Sequence, residues 1–246
     1  MIFNEIEEKL KKSKIHMTLI DPASQSPAKT AEIALAADQS GTDFLMVGGS
    51  TDIDKKILDE SIESIRKVTD RKIIIFPGSA SMVSEKADAL YFMSLLNSGS
   101  LEFVVGHQFK AAPYIKSIGL ETISMGYVIV EPGMTAGRAG RADLVRRNDL
   151  KSAASYAMMA ELFGMKLVYL EAGSGAPEHV PSDMITFVKR KIGIPLIVGG
   201  GIRSVESARE VAQAGADIVV TGTVAEKSER VREVLEPIIA AVRQAK

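Results

Sequence analysis

Residues 166–223 read KLVYLEAGSGAPEHVPSDMITFVKRKIGIPLIVGGGIRSVESAREVAQAGADIVVTGT. Three apolar runs stand out: KLVYLEAG (166–173), IPLIVGGG (194–201) and ADIVVTGT (216–223). The first two end at glycine and the third at Gly222–Thr223, and the segments between them, 181–192 and 204–213, carry apolar residues at helical spacing. Short, continuously apolar runs suit strands buried on both faces, as in a parallel sheet covered by helices. Strand, helix, strand, helix in strict succession is the pattern of an α/β fold.

The same alternation extends upstream. Apolar runs lie at 15–21 (IHMTLID), 42–49 (TDFLMVGG), 72–78 (KIIIFPG) and 89–96 (ALYFMSLL), with a less regular fifth at 104–105 or 122–130. Ser26 is an N-cap ahead of Pro27 and opens a helix over 28–39, which Gly41 closes. Ile53, Ile57, Leu58, Ile62 and Ile65 place a second helix over 52–68, and further helices follow at 149–163 and 226–244. Eight strands with helices between them predict one (β/α)8 (TIM) barrel domain over residues 1–246. After the third strand only 81–88 is available, short for a barrel helix, so the barrel is expected to be modified there. A doubly wound open sheet would need a glycine fingerprint in its first strand–helix turn. That turn is Asp21–Pro22, without glycine, and the glycine-rich turns come late in the chain.

Composition agrees. A (β/α)8 barrel typically takes about 250 residues, and this chain has 246, of which 46% are apolar. Lys and Arg number 30 against 31 Asp and Glu, without the basic excess that nucleic-acid binding requires. There is no Trp, and aromatic residues are 5% of the chain, which leaves little for base stacking. With no Cys, disulfides, thiolate catalysis and Cys-ligated metals are excluded. No run approaches the roughly 18 apolar residues of a membrane span. The N-terminal MIFNEIEEKLKKSK places Ile2, Phe3, Ile6 and Leu10 among charges, an amphipathic helix and not a signal peptide. A cytoplasmic location is expected.

In a barrel, function gathers at the C-terminal strand ends. Those ends carry Asp21, GGS (48–50), FPG (76–78), EAGSG (171–175), GGG (199–201) and GT (222–223). Gly199, Gly200 and Gly201 run straight into a helix, where free amides attract an anion. Gly222 and Thr223 end the next strand, so two adjacent turns can form one phosphate cradle. Tight turns alone are the plainer reading of either one. Glu171, one strand away, is either a salt-bridged carboxylate or a base placed to take a proton from a phosphate-bearing alcohol. Asp21, with Ser50 or Thr51 as a neutral second donor, offers oxygen to a hard cation such as Mg2+; capping the turn before Pro22 is its plainer role. His16 starts the first strand, away from the site, and reads as a packed core residue; His107 and His179 form no ligand spacing. Tyr91, Met93, Met125, Tyr127 and Met134 read as core or as an apolar groove. Arg138, Arg141, Arg146 and Arg147 read as a solvated loop or as diphosphate contacts.

TLIDP (18–22), VGGS (47–50), FPG (76–78), YLEAGSGA (169–176), VGGGIRS (198–204) and GT (222–223) occur in that order along the whole chain. In this the chain resembles the geranylgeranylglyceryl phosphate synthase family, archaeal ether-lipid prenyltransferases of the (β/α)8 class. The resemblance implies Mg2+-dependent attack of the free 3-hydroxyl of sn-glycerol 1-phosphate on the first carbon of geranylgeranyl diphosphate. The products are the prenyl ether and pyrophosphate, and this is the first ether-forming step of archaeal membrane-lipid synthesis. By matched motif, Asp21 and Ser50 would hold Mg2+, and Glu171 would accept the hydroxyl proton. Glycerol 1-phosphate would lie on Tyr169, Leu170, Glu171, Ala172, Gly173, Ser174 and Gly175 with Gly200, Gly201, Gly222 and Thr223. The long tail needs a groove, for which Tyr91–Met93 and Met125–Met134 are the candidates. The resemblance also implies a homo-oligomer, dimer or hexamer, and lipid substrates make a peripheral membrane contact an expectation. From the phosphate site alone, a barrel isomerase acting on a phosphosugar and a non-catalytic phospholigand receptor remain the alternatives. Asp21 and Glu171 speak against the receptor, since an anion receptor has no use for negative charge beside its ligand.

Overall fold

The computed structural model describes residues 1–49 and 53–245. Eight parallel strands close into a barrel in sequence order: β1 (Ile15–Ile20), β2 (Phe44–Gly48), β3 (Ile73–Phe76), β4 (Ala89–Leu95), β5 (Glu121–Ile129), β6 (Leu167–Glu171), β7 (Leu196–Gly199) and β8 (Ile218–Thr221). The last strand pairs with the first, with His16 opposite Val219 and Thr18 opposite Thr221. The fifth strand is the 122–130 run, one residue displaced; Val104 and Val105 lie instead in a π-helical turn, Glu102–Gly106.

Because side chains alternate along a strand, one set fills the barrel and the other meets the helices. Met17, Phe44, Met46, Ile74, Tyr91, Met125, Tyr169 and Ile197 share the interior cluster. Leu45, Val47, Ile73 and Ile75 face outward onto Ile33, Leu58, Ile62 and Ile65. These belong to α2 (Pro27–Gln39) and α3 (Lys55–Arg66), and the Ser26 hydroxyl caps α2 as expected. Around the other half, α6 (Leu150–Leu162), α7 (Ser182–Lys189) and α8 (Val205–Gln213) cover β6 and β7. The segment expected as one helix over 226–244 is split into a single turn, α9 (Thr223–Glu226), and α10 (Val231–Gln244).

The N-terminal helix α1 (Ile2–Leu10) closes the bottom of the barrel, with Ile2, Phe3 and Ile6 joining the interior cluster. The Glu121 carboxylate accepts the otherwise orphaned N–H groups of Ile2 (2.6 Å) and Phe3 (2.9 Å). His16 is indeed a core residue: its ring nitrogens lie 3.1 Å from the Thr42 hydroxyl and 2.9 Å from that of Thr221. Burial pushes its pKa down to about 3, so it stays neutral.

Between β3 and β4 no helix forms; residues 77–88 run as turns with Met82, Val83 and Ala87 buried beneath them. The expected modification therefore takes the form of a missing helix. The next connection compensates with the π turn and α4 (His107–Ile118), and a further short helix, α5 (Met134–Ala139), follows β5. The flank between β3 and β4 is left without a covering helix of its own, and this opens the site described next.

Candidate active site

Two spaces meet at the C-terminal mouth of the barrel. The first is a polar hollow lined by Leu19, Tyr169, Glu171, Ser174, Gly175, Gly200, Gly201, Arg203, Gly222 and Thr223. Its floor is the β7 turn. Gly200 has φ +80°, and a Cβ there would stand 2.2 Å from a Glu171 carboxylate oxygen and 2.6 Å from the Gly173 nitrogen. Glycine is therefore required on two counts, backbone conformation and close approach. The Arg203 guanidinium donates to the carbonyls of Ala176 (2.9 Å) and Pro177 (2.8 Å), tying the β6 loop to the β7 turn. The hydroxyls of Ser174 and Thr223 lie 2.9 Å apart and close the rim.

Glu171 is the last residue of β6 and points into the barrel top, buried. The Gly173 N–H donates to its carboxylate at 2.6 Å, and the Tyr169 hydroxyl donates to it as well. Burial outweighs both bonds and raises its pKa to about 7. No cation pairs with it among the described residues, so the salt-bridge reading does not hold. A carboxyl poised near neutrality beside a polar hollow has the properties of a general base.

The second space is an apolar cleft under the missing helix. Its walls are Phe76, Leu90, Tyr91, Phe92, Met93 and Tyr127 from the barrel and Phe103, Ala111 and Ile115 from the π turn and α4. Ala136, Ala139 and Gly140 close the α5 side. An edge-to-face aromatic cluster joins the two spaces: Tyr127 lies 5.3 Å from Tyr169 and 5.5 Å from Phe76, and Phe76 lies 6.3 Å from Tyr91. Glu171 and Tyr169 border the hollow, and Tyr127 borders the cleft.

Asp21 stands at the end of β1, half-buried, its carboxylate against Gly49. A Cβ on Gly49 would come within 2.5 Å of an Asp21 oxygen, so the second glycine of the VGGS motif admits that carboxylate. The Ala23 N–H donates to it at 2.9 Å, while burial raises its pKa. Its capping role is thus real. Glu226, from α9, accepts the Asp21 main-chain N–H at 2.9 Å.

The structure brings together Glu171, Tyr169, Ser174, Gly175, Gly200, Gly201, Gly222 and Thr223 as the sequence suggested. Leu170 and Ala172 have their side chains in the outer core, beneath the helices, and face the mouth only through main chain. Ser50 and Thr51 lie outside the described residues. The groove expectation is half corrected. Tyr91, Met93 and Tyr127 line the cleft, but Met125 is interior and Met134 packs against the outer core. Arg147 holds the loop itself, donating to the His179 carbonyl (3.0 Å) and pairing with Glu178 (3.0 Å). None of the four arginines lines the hollow or the cleft. Sequence reasoning missed Glu226 and the α4 wall, which only tertiary folding brings to the mouth. Among the described residues, no helix is long and apolar enough to cross a membrane, and no cluster of three or more His, Cys, Asp or Glu is present.

Comparison with known proteins agrees with this geometry. The PcrB family profile matches residues 6–243. The chain is 54% identical over 243 residues to the geranylgeranylglyceryl phosphate synthase of Thermoplasma acidophilum, covering 99% of this chain and 96% of that one. The crystal structure of (S)-3-O-geranylgeranylglyceryl phosphate synthase from the same organism, in complex with its substrate sn-glycerol-1-phosphate, superposes with a TM-score of 0.97 at 53% identity over 99% of both chains. The wild-type enzyme of Thermoplasma volcanium gives 0.96 at 53% identity, over 99% of this chain and 98% of that one.

Proposed function

From the premise that this chain belongs to the PcrB family and is a prenyltransferase of the geranylgeranylglyceryl phosphate synthase kind, we propose that it joins sn-glycerol 1-phosphate to geranylgeranyl diphosphate. The reading is carried by one observation: Glu171, a buried carboxyl with its pKa near 7, lines the polar hollow beside Tyr169, whose ring lies 5.3 Å from that of Tyr127 in the wall of the apolar cleft. A phosphosugar isomerase would have no use for the cleft.

In this mechanism the phosphate of glycerol 1-phosphate is held by the amides around Gly200, Gly201, Gly222 and Thr223, with Ser174 at the rim. Its 3-hydroxyl is turned towards Glu171. The prenyl chain lies in the cleft along Phe92, Met93 and Phe103, with its first carbon at the aromatic junction. The oxygen–carbon bond forms as the carbon–oxygen bond to the diphosphate breaks. Glu171 takes the hydroxyl proton, and pyrophosphate leaves with the bonding electron pair. The protein contributes positioning, and a base whose proton affinity burial has raised.

The resemblance also calls for Mg2+, and Asp21, the one of the two expected ligands among the described residues, has the chemistry for it. Asp21 is an uncompensated carboxylate at the mouth, and in the absence of a larger acidic cluster among the described residues the ion would share oxygens of the diphosphate. Asp21 and Ser50 would hold it, and when bound it would neutralise the departing diphosphate. We read the reaction as the first ether-forming step of archaeal membrane-lipid synthesis, and the working enzyme as a dimer or hexamer.

The test is incubation of purified protein with labelled glycerol 1-phosphate, geranylgeranyl diphosphate and Mg2+. A prenyl-ether product is expected, and Glu171→Gln should lower turnover by roughly 10²–10⁴-fold. A folded wild-type enzyme that forms no ether product rejects the proposal.

A further inference from the structure

Glu226 ends α9, the single turn that opens with Thr223 at the rim of the polar hollow. Its carboxylate reaches across to β1 and accepts the Asp21 main-chain N–H at 2.9 Å. Asp21 spends its own carboxylate on the Ala23 amide and on the space beside Gly49. Two acidic side chains thus crowd one corner of the mouth. Placing a second half-buried carboxylate beside the first is electrostatically unfavourable, and a backbone amide needs no charge on its acceptor. The arrangement makes sense if the bond does something besides satisfy that amide.

What it does is join two parts of the mouth. On one side is α9, whose first residues belong to the phosphate cradle. On the other is the turn that sets the position of Asp21. β1 and β8 are paired below, Thr18 opposite Thr221, so the bond extends that pairing to the loops above it.

We propose that Glu226 is a positioning residue that couples the glycerol-phosphate site to the Asp21 corner. Phosphate seated at Gly222 and Thr223 immobilises α9. Through the Glu226 bond, the Asp21 main chain is immobilised with it. The two substrates then bind with positive cooperativity, which linkage makes reciprocal. This inference rests on the proposed function, since it needs glycerol phosphate at one end and a divalent cation with diphosphate at the other.

Calorimetric titration tests it without turnover. Kd for glycerol 1-phosphate is measured alone and then with saturating Mg2+ and inorganic pyrophosphate. For the wild type, tightening by roughly 5–20-fold is expected, within the usual range of coupling between sites. Glu226→Ala should bind glycerol 1-phosphate alone within about twofold of wild type but lose the tightening. Glu226→Gln keeps an acceptor oxygen and should recover most of it. Three results overturn the inference: a wild type whose two ligands bind independently, an alanine variant with full coupling, or a glutamine variant as uncoupled as the alanine one. A wild type that does not bind glycerol 1-phosphate at all counts instead against the proposed function. Thermal melts of each variant separate loss of coupling from loss of fold.

Discussion

In the proposed reaction Glu171 is the base, and its environment sets a pH dependence with a definite sign. Burial raises its pKa from the ordinary carboxyl value of 4.5 to about 7. A base must be ionised to act, so kcat/KM should rise with pH through about 7 and level off above it. A profile flat from pH 5.5 to 8.5 would remove Glu171 from that role. The same shift has a stability consequence. A carboxyl whose folded-state pKa is raised favours the fold while protonated, and that contribution is lost as pH rises through about 7. Glu171→Gln should therefore be more stable than wild type at pH 8, by up to about 3 kcal/mol, and melt at a higher temperature. The difference should vanish near pH 4.5, and equal melting points at pH 8 would contradict the burial account. Glu171 was legible in the sequence because it ends an apolar run at a glycine. Glu226 was not, since its link to Asp21 spans 205 residues and leaves no local signature.

At the level of elements, the missing helix after β3 creates the cleft, and α4 and α5 shape it. Ala139 closes α5 at the rim, exposed but facing the cavity, so its replacement tests the cleft without disturbing the core. Ala139→Trp should raise KM for geranylgeranyl diphosphate by about tenfold, a cost in the range of one misfitted contact in an apolar pocket. Glycerol 1-phosphate affinity should stay unchanged. An unaltered KM would place the prenyl chain elsewhere. The absent helix was foreshadowed by the shortness of 81–88. The α4 helix was harder to see because its pattern is confused: Ala111 and Ile115 are buried, Phe109 is exposed, and Pro113 interrupts the turn. The strands were clear, because a sheet buried on both faces writes unbroken apolar runs. The exception is β5, where Glu121 and Thr122 at the start blur the signal; Glu121 is there to cap α1.

Across the whole molecule, the barrel divides its labour by end. The bottom is sealed by α1, whose apolar face is used against the interior cluster. The top keeps a polar and an apolar space apart, with aromatic rings and one carboxyl between them. That division was foreseeable from where the glycines fall, at the late strand ends. The side on which the apolar cleft opens was foreseeable in part, since Tyr91, Met93 and Tyr127 were expected in a groove, but its far wall depends on how the connections after β3 and β4 pack. The central claim is that the phosphate cradle presents the glycerol hydroxyl to Glu171, and a crystal structure of this protein soaked in sn-glycerol 1-phosphate tests it most directly. The account predicts the phosphorus between Gly200–Gly201 and Gly222–Thr223, with the 3-hydroxyl within hydrogen-bond reach of the Glu171 carboxylate. A phosphate bound elsewhere, or a glycerol whose 3-hydroxyl turns away from Glu171, would contradict it.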